Sequence, residues 1–426
     1  MLGEWLLMTD VRNILEHLVS IPSPYPFEEP LVRWVTNYLT ELGFSVELVP
    51  TEGRHNIVAT KGSGSSPLLL FGHLDTVPIQ GVEEHNPHSS DGHRTVGAQA
   101  ESLGWHSHPF VPTIVGDRLV GSGAYDMKAG VAAILAVIGC LPDSWYQQNQ
   151  LKVALTVGEE HLSQGMYALV QSGLLKDVVA CVSTEILDTA DRVEGEEPGV
   201  ETILLGRRGR VAIEAKVYGK ASHAASPSQG VNAVEEACRI VSHVMQSAME
   251  GPLPLRTHPV LPQATLTPLS ILAGTSSLSI PNLCTVVFDR HLVPPESPER
   301  VVEELRQCLL SIQPPVRFEI QLQHRPVPYL MPFVTSPDSE LVRLAAKAVE
   351  EVAGASHFSG GNSVADENLL ASTNYDPPLR HATPTIIMGC RGGNFHQENE
   401  WVDLGSLGSL VRALTRFCMI WGEEHS

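Results

Sequence analysis

LKVALTVGEEHLSQGMYALVQSGLLKDVVACVSTE, residues 151–185, places two short apolar runs on either side of a helix-like segment. LKVALTV (151–157) and VVACVST (178–184) are apolar almost throughout, as strands buried on both faces are. Residues 162–174 between them read as a helix. Strands that alternate with helices in this way argue for a parallel sheet. Each run leads straight into carboxylates, Glu159-Glu160 after the first and Glu185 after the second. Ligands in open α/β sheets gather outside the carboxyl ends of the strands. One stretch therefore points to both a fold and a site.

The pattern extends in both directions. NIVAT (56–60) and PLLLF (67–71) read as further buried strands, and PLLLF runs into Gly72-His73-Leu74-Asp75. Helical periodicity over 28–43 puts Leu31, Trp34, Val35, Tyr38 and Leu39 on one stripe. A second helix is expected at 129–140, just after Asp126 in GSGAYDMKAG. From about residue 206 the pattern changes. VAIEAKVY (211–218) alternates, a helix follows at 232–249, strands at 265–272 and 284–293, a helix at 298–312, and VRFEIQLQ (316–323) alternates again. That order, β-α-β-β-α-β, is the ferredoxin-like split unit. After HRPVPYLMP the first pattern resumes with helix 338–353, strand PTIIM (384–388), a Gly-rich loop to His396, and helix 404–420. The expected architecture is an α/β catalytic domain (1–205 and 326–426) with a mostly parallel sheet and helices on both faces. It is interrupted by an inserted ferredoxin-like α+β domain (206–325). Residues 82–104 and 191–201 read as loops.

Bulk composition narrows the function classes. The chain has 426 residues, 43% of them apolar, which favours two domains over one core. A formal charge of −20 repels phosphate backbones and anionic lipid, so neither nucleic acid nor membrane is an expected partner. The seven cysteines are scattered, mostly in apolar runs such as VIGCL and RFCMI, with no CxxC pair. Buried free thiols in a reducing compartment are the reading. MLGEWLLMTD is too short and too acidic for a secretory segment, and no run approaches the ~18 apolar residues of a membrane span. A cytoplasmic protein is expected.

Taken singly, the polar residues at the strand ends mean little. A lone histidine is usually structural, a Glu-Glu pair is usually a solvated face, and an aspartate before a helix is usually a cap. Shared placement changes the reading: His73, Asp126, Glu160, Glu185 and His396 all fall at strand ends or adjoining loops. Mixed His/carboxylate sets leave metal positions open for water and substrate, where a closed structural site favours thiolates. In His73-Leu74-Asp75, both outer side chains fall on one side of an extended segment, so Asp75 is expected to accept the second imidazole N–H. Adjacent Glu159 and Glu160 cannot easily serve one ion together. One is expected to bind metal while the other moves a proton.

Six motifs then stand in order: GHLDTVP (72–78), GSGAYDMKAG (121–130), TVGEE (156–160), STE (183–185), GKASHAASPSQGVNA (219–233) and NFHQENEWV (394–402). With these the chain resembles the M20 metallopeptidase family, the group of acetylornithine deacetylase, succinyl-diaminopimelate desuccinylase, aminoacylase and the glutamate carboxypeptidases. The resemblance covers nearly the full length. It implies two divalent ions, zinc or else cobalt or manganese. His73 and Glu185 would hold one, Glu160 and His396 the other, with Asp126 bridging. It implies Glu159 as general base and acid, Asp75 as the partner of His73, and the inserted domain as a lid and dimerisation domain. His223 would reach the active site of a partner subunit and stabilise the oxyanion.

Three departures bear on substrate. Residues 82–103, with His85, His88 and His93, replace a short link of the relatives. Leu278 stands where relatives carry an Asn, and His291 where they carry an Arg; in a shifted register Asn282 and Arg290 would serve instead. SGGNSVADEN (359–368) resembles the Gly-rich substrate loop at altered spacing, with Gly360 and Gly361 giving backbone access. The leading expectation is deacylation of a small N-acyl amino acid. A dipeptidase or carboxypeptidase on the same scaffold is the alternative, and a non-catalytic binding protein on this fold is a remote one. A serine hydrolase is disfavoured, because no GxSxG elbow stands at a strand end.

Overall fold

The computed structural model describes residues 2–79, 104–189, 197–274, 278–372 and 382–425. The expected loops at 82–103 and at the start of 191–201 lie largely or wholly outside them, and so do His85, His88 and His93. Two compact units are present: residues 1–206, 334–361 and 365–426 form the first, and residues 207–333 with 362–364 the second. The second unit therefore runs past the expected end at 325 and takes in the Pro-rich stretch.

The strands in chain order are β1 (Ser45–Thr51), β2 (Arg54–Gly62), β3 (Leu68–His73), β4 (Thr113–Val115), β5 (Arg118–Val120), β6 (Gln150–Thr156), β7 (Ala180–Ser183) and β8 (Thr202–Arg207). They continue with β9 (Gly209–Tyr218), β10 (Thr265–Ala273), β11 (Leu283–Leu292), β12 (Arg317–Leu322), β13 (Phe333–Val334), β14 (His357–Gly361), β15 (Thr385–Met388), β16 (Gly392–Gly393) and β17 (Trp401–Asp403). The main sheet has the order β1-β2-β6-β3-β7-β15-β8-β13, with β14 on β8. Its centre, β6-β3-β7-β15, is parallel. Its flanks are not: β1-β2, β2-β6 and β15-β8 pair antiparallel. The expected mostly parallel sheet is thus a mixed one, for a local reason. Glu52 (φ 50°) and Gly53 (φ 78°) form a two-residue turn with positive φ at both positions, which joins β1 to β2 as a hairpin.

Parallel strands buried on both faces need apolar side chains throughout, and every residue of β3 is buried. Helix Ala129–Cys140 is buried from Ala129 to Ile138 and packs on β3 and on helices Leu2–Ser20 and Leu404–His425. Each large apolar side chain so buried contributes about 1.5–3 kcal/mol. The helix can approach β7 only because residue 130 is glycine: a Cβ there would lie 2.1 Å from the Thr184 carbonyl oxygen. Helices Glu29–Glu41 and Gln164–Ser172 pack on β1 and β2. A small sheet, β16-β17-β5-β4, completes the unit.

In the second unit β9, β10, β11 and β12 form one antiparallel sheet of order β10-β11-β9-β12. Helices Ala233–Glu250 and Pro298–Leu310 follow β9 and β11, each started by a side-chain cap: Asn232 accepts from Val234 N–H and Ser297 from Arg300 N–H. No helix among the described residues is long and apolar enough to cross a membrane.

Candidate active site

Strand ends bring the site together in the first unit. β3 ends on His73, the turn after β6 carries Glu159 and Glu160, and Glu185 follows β7. Asp126 lies in the short segment Ala124–Lys128 that enters helix Ala129–Cys140. His396 sits in the loop between β16 and β17 with φ 59°.

Asp126 turns one oxygen to each histidine. Its Oδ1 is 3.3 Å from His73 Nε2, and its Oδ2 is 3.2 Å from His396 Nε2. His73 Nε2 also meets Glu185 Oε1 at 2.9 Å, and His396 Nε2 meets Glu160 Oε2 at 3.0 Å. Ligand atoms of His73, Asp126 and Glu160 lie within 4.8 Å of one another. Two imidazoles face three carboxylates with a bridging one between, a donor set that suits two divalent cations.

The electrostatics say the same. Burial works against a charged His73, yet hydrogen bonds to Asp126, Asp75 and Glu185 carry its pKa well above the ordinary value. Hydrogen bonds to Asp126 and Glu160 raise His396 to about 10. Asp126, though buried, is held below the usual carboxylate range by the two histidines. Withdrawal from water pushes Glu160 up to about 7, helped by the Asp126 charge, and raises Glu159 well above its ordinary value. The carboxylates around the two histidines favour positive charge at this place.

The family model for Peptidase family M20/M25/M40 matches residues 69–420, across all of these elements. The chain belongs to that family. Among similar proteins are an acetylornithine deacetylase of Vibrio atlanticus, 26% identical over 91% of this chain and 90% of the relative. Succinyl-diaminopimelate desuccinylase 2 of Shewanella loihica is 27% identical over 94% and 98%. Solved structures of the same fold include a Staphylococcus aureus tripeptidase (TM-score 0.72, 20% identity, 98% of this chain and 99% of that one). Another is a dinuclear metal binding peptidase of Bacillus subtilis (TM-score 0.67, 17% identity, 98% and 99%). The protein is an M20 hydrolase, and the named relatives act on amide bonds.

Within this M20 site Asp75 meets both His73 and the Glu159-Glu160 turn. His73 Nδ1 is 3.0 Å from the Asp75 backbone carbonyl and 3.6 Å from its carboxylate. The carboxylate also accepts the backbone N–H of Glu159 at 3.2 Å and of Glu160 at 2.9 Å. Its contacts with the Glu159-Glu160 turn are shorter than its contact with the imidazole.

Two carboxylates went unread as site residues. Glu400, 3% exposed, accepts the N–H groups of Gly123 (2.7 Å), Tyr125 (2.8 Å) and Asp126 (2.7 Å). Burial and the nearby Asp126 charge raise it to about 8, against the pull of those donors. Asp366, fully buried, accepts from Thr156 Oγ at 2.6 Å at the end of β6. Glu400 stands four residues after His396 in the last motif, and that spacing was the one available signal.

The remaining expected residues divide between the units. Gly360 and Gly361 are buried in β14 of the first. His223, Asn282, Arg290 and His291 belong to the second. His223 is exposed and its Nδ1 accepts from Ala225 N–H. Asn282 is exposed, and its carbonyl accepts from Gly219 N–H. His291 is tied to Asp289 at 3.1 Å. Arg290 is 2% exposed and its guanidinium is paired with Glu296 at 2.5 Å inside the second unit. That pair uses Nη2 alone; Nε and Nη1 are buried and meet no hydrogen-bond partner among the described residues.

Proposed function

We propose that this M20 hydrolase is a dinuclear, zinc-type amidohydrolase of the cytoplasm that removes the acyl group from a small N-acyl amino acid. The observation that carries the reading is Asp126, with one carboxylate oxygen toward His73 and the other toward His396. His73 with Glu185 would hold one ion, His396 with Glu160 the other, and Asp126 both. When bound, the ions would activate water and polarise the substrate carbonyl. Glu159, in the same turn but outside the set aimed at the histidines, takes the proton from the attacking water and returns it to the leaving amine. Its burial gives it the high proton affinity this needs. The names of the curated relatives, a deacetylase and a desuccinylase, support an N-acyl amino acid over a peptide. The second unit serves as lid and dimerisation domain, and His223 reaches the active site of a partner subunit.

The test is an assay of zinc- or cobalt-loaded protein on N-acetyl, N-succinyl and N-formyl amino acids beside dipeptides. The expected result is chelator-sensitive release of the acyl group. The same activity should be lost by about 100- to 10,000-fold in Glu159→Gln with both metals retained. Turnover of peptides alone would replace the deacylase reading with a peptidase.

A further inference from the structure

The turn that carries Glu159 is gripped at both ends by residues no catalytic role has yet used. Arg54 opens β2 and is 4% exposed. Its Nη1 donates to the fully buried Glu28 at 2.7 Å and its Nη2 reaches Glu52 at 3.3 Å, while the guanidinium lies 4.5 Å from the centre of the Tyr25 ring. The same guanidinium packs flush on Gly158: a Cβ there would lie 3.1 Å from Nη1 and 3.4 Å from Nη2. Gly158 has φ 78°, a conformation that side-chain-bearing residues rarely adopt. At the far end of the turn Tyr25 stacks on His161, with ring centres 4.4 Å apart and planes 25° apart. Between Gly158 and His161 stand Glu159 and Glu160 alone. Ser163 N–H closes the turn on the Gly158 carbonyl at 2.9 Å.

The clamp is also tied to the neighbouring strand end. Tyr25 N–H donates to the Thr76 carbonyl at 3.1 Å, and Ser23 Oγ to the Leu74 carbonyl at 2.8 Å. Residues 23–28 therefore touch both the loop that holds Asp75 and the turn that holds Glu159. A buried guanidinium is expensive to desolvate, and the carboxylates of Glu28 and Glu52 offset that cost. Its second use, as a flat wall against a glycine of the catalytic turn, suits a group chosen for shape and rigidity as well as charge.

We propose that Arg54, held by Glu28 and Tyr25, is a positioning residue for the general base: it sets the backbone of the 158–161 turn and thereby the place of the Glu159 carboxylate. The proposal rests on the reading of Glu159 given above. Arg54→Lys keeps the charge and loses the planar fork; Tyr25→Leu removes the stack on His161. Full-length variants loaded with zinc are assayed on whichever N-acyl amino acid or dipeptide the wild type hydrolyses, with metal content measured on the same samples. Both variants should hold two ions per chain and keep KM within about twofold while kcat falls by about 10- to 100-fold, the scale on which small displacements of a catalytic group are felt. If the wild type shows no chelator-sensitive hydrolysis, the reading of Glu159 fails and this proposal falls with it. If the wild type is active and both variants keep its kcat, the positioning role is overturned and the reading stands. Loss of activity only in proportion to lost metal would equally overturn it. If Arg54→Lys does not fold, Tyr25→Leu decides.

Discussion

The carboxylate of Asp75 accepts the backbone N–H of Glu160 at 2.9 Å, and its other oxygen takes the N–H of Glu159 at 3.2 Å. A carboxylate with both oxygens used in this way has no isosteric replacement. In Asp75→Asn one oxygen becomes an NH2 group, and a donor then faces a donor. The turn must shift or leave an N–H unpaired. We expect kcat to fall about 10- to 100-fold, the usual cost of losing a group that orients catalytic or metal-binding side chains. Metal content should change less than kcat; a variant with full kcat would show that the turn does not depend on Asp75.

Glu400 raises the corresponding question for Asp126. Three N–H groups from Gly123 to Asp126 converge on its carboxylate. Glu400→Gln supplies one oxygen where two are used and leaves at least one buried donor unpaired, at about 1–3 kcal/mol. With Asp126 on that segment as the proposed bridge, the loss should reach both ions. Affinity for zinc, measured against a chelator of known strength, is expected to drop about 10- to 100-fold. A variant that binds zinc as tightly as the wild type would reduce Glu400 to a scaffold role.

What could be read from the chain alone follows from locality. Strand ends in apolar runs, and the histidine and carboxylates that follow them, are written within a few residues of each other, so the gathering of His73, Glu160 and Glu185 was legible. The hairpin of β1 and β2 was missed because its turn is only Glu52-Gly53, without the Asn-Gly signal that usually marks such a turn. Glu400 was missed because its three donors belong to a segment more than 270 residues away. Contacts of this kind exist only after the chain has closed.

The dimer reading predicts complementation. If His223 acts in the active site of a partner subunit, His223→Ala should lose kcat while keeping both ions. Mixing it with Glu159→Gln should then restore part of the activity, because one active site of the mixed dimer receives both a competent base and a competent histidine. Activity of the mixture no greater than the sum of the two separate variants would remove the trans role.

Asp289, in the second unit, carries the pH prediction. Its Oδ1 accepts from Arg210 Nε at 2.6 Å across β11 and β9, and its Oδ2 lies 3.1 Å from His291 Nδ1. Burial alone would raise the Asp289 pKa, but the hydrogen bonds from His291 and Arg210 win and hold it below the usual carboxylate range. A carboxylate with a depressed pKa in the fold contributes stability above its unfolded value, near 4, and loses it as pH falls through the lower folded value. Asp289→Asn removes the charge at every pH. With Arg210 half exposed, the pair contributes about 1–2 kcal/mol. The variant should therefore melt below the wild type at pH 7, and the gap should close as both are taken from pH 5 to pH 3. A gap that stays constant across that range would mean that Asp289 acts through shape and not through its charge.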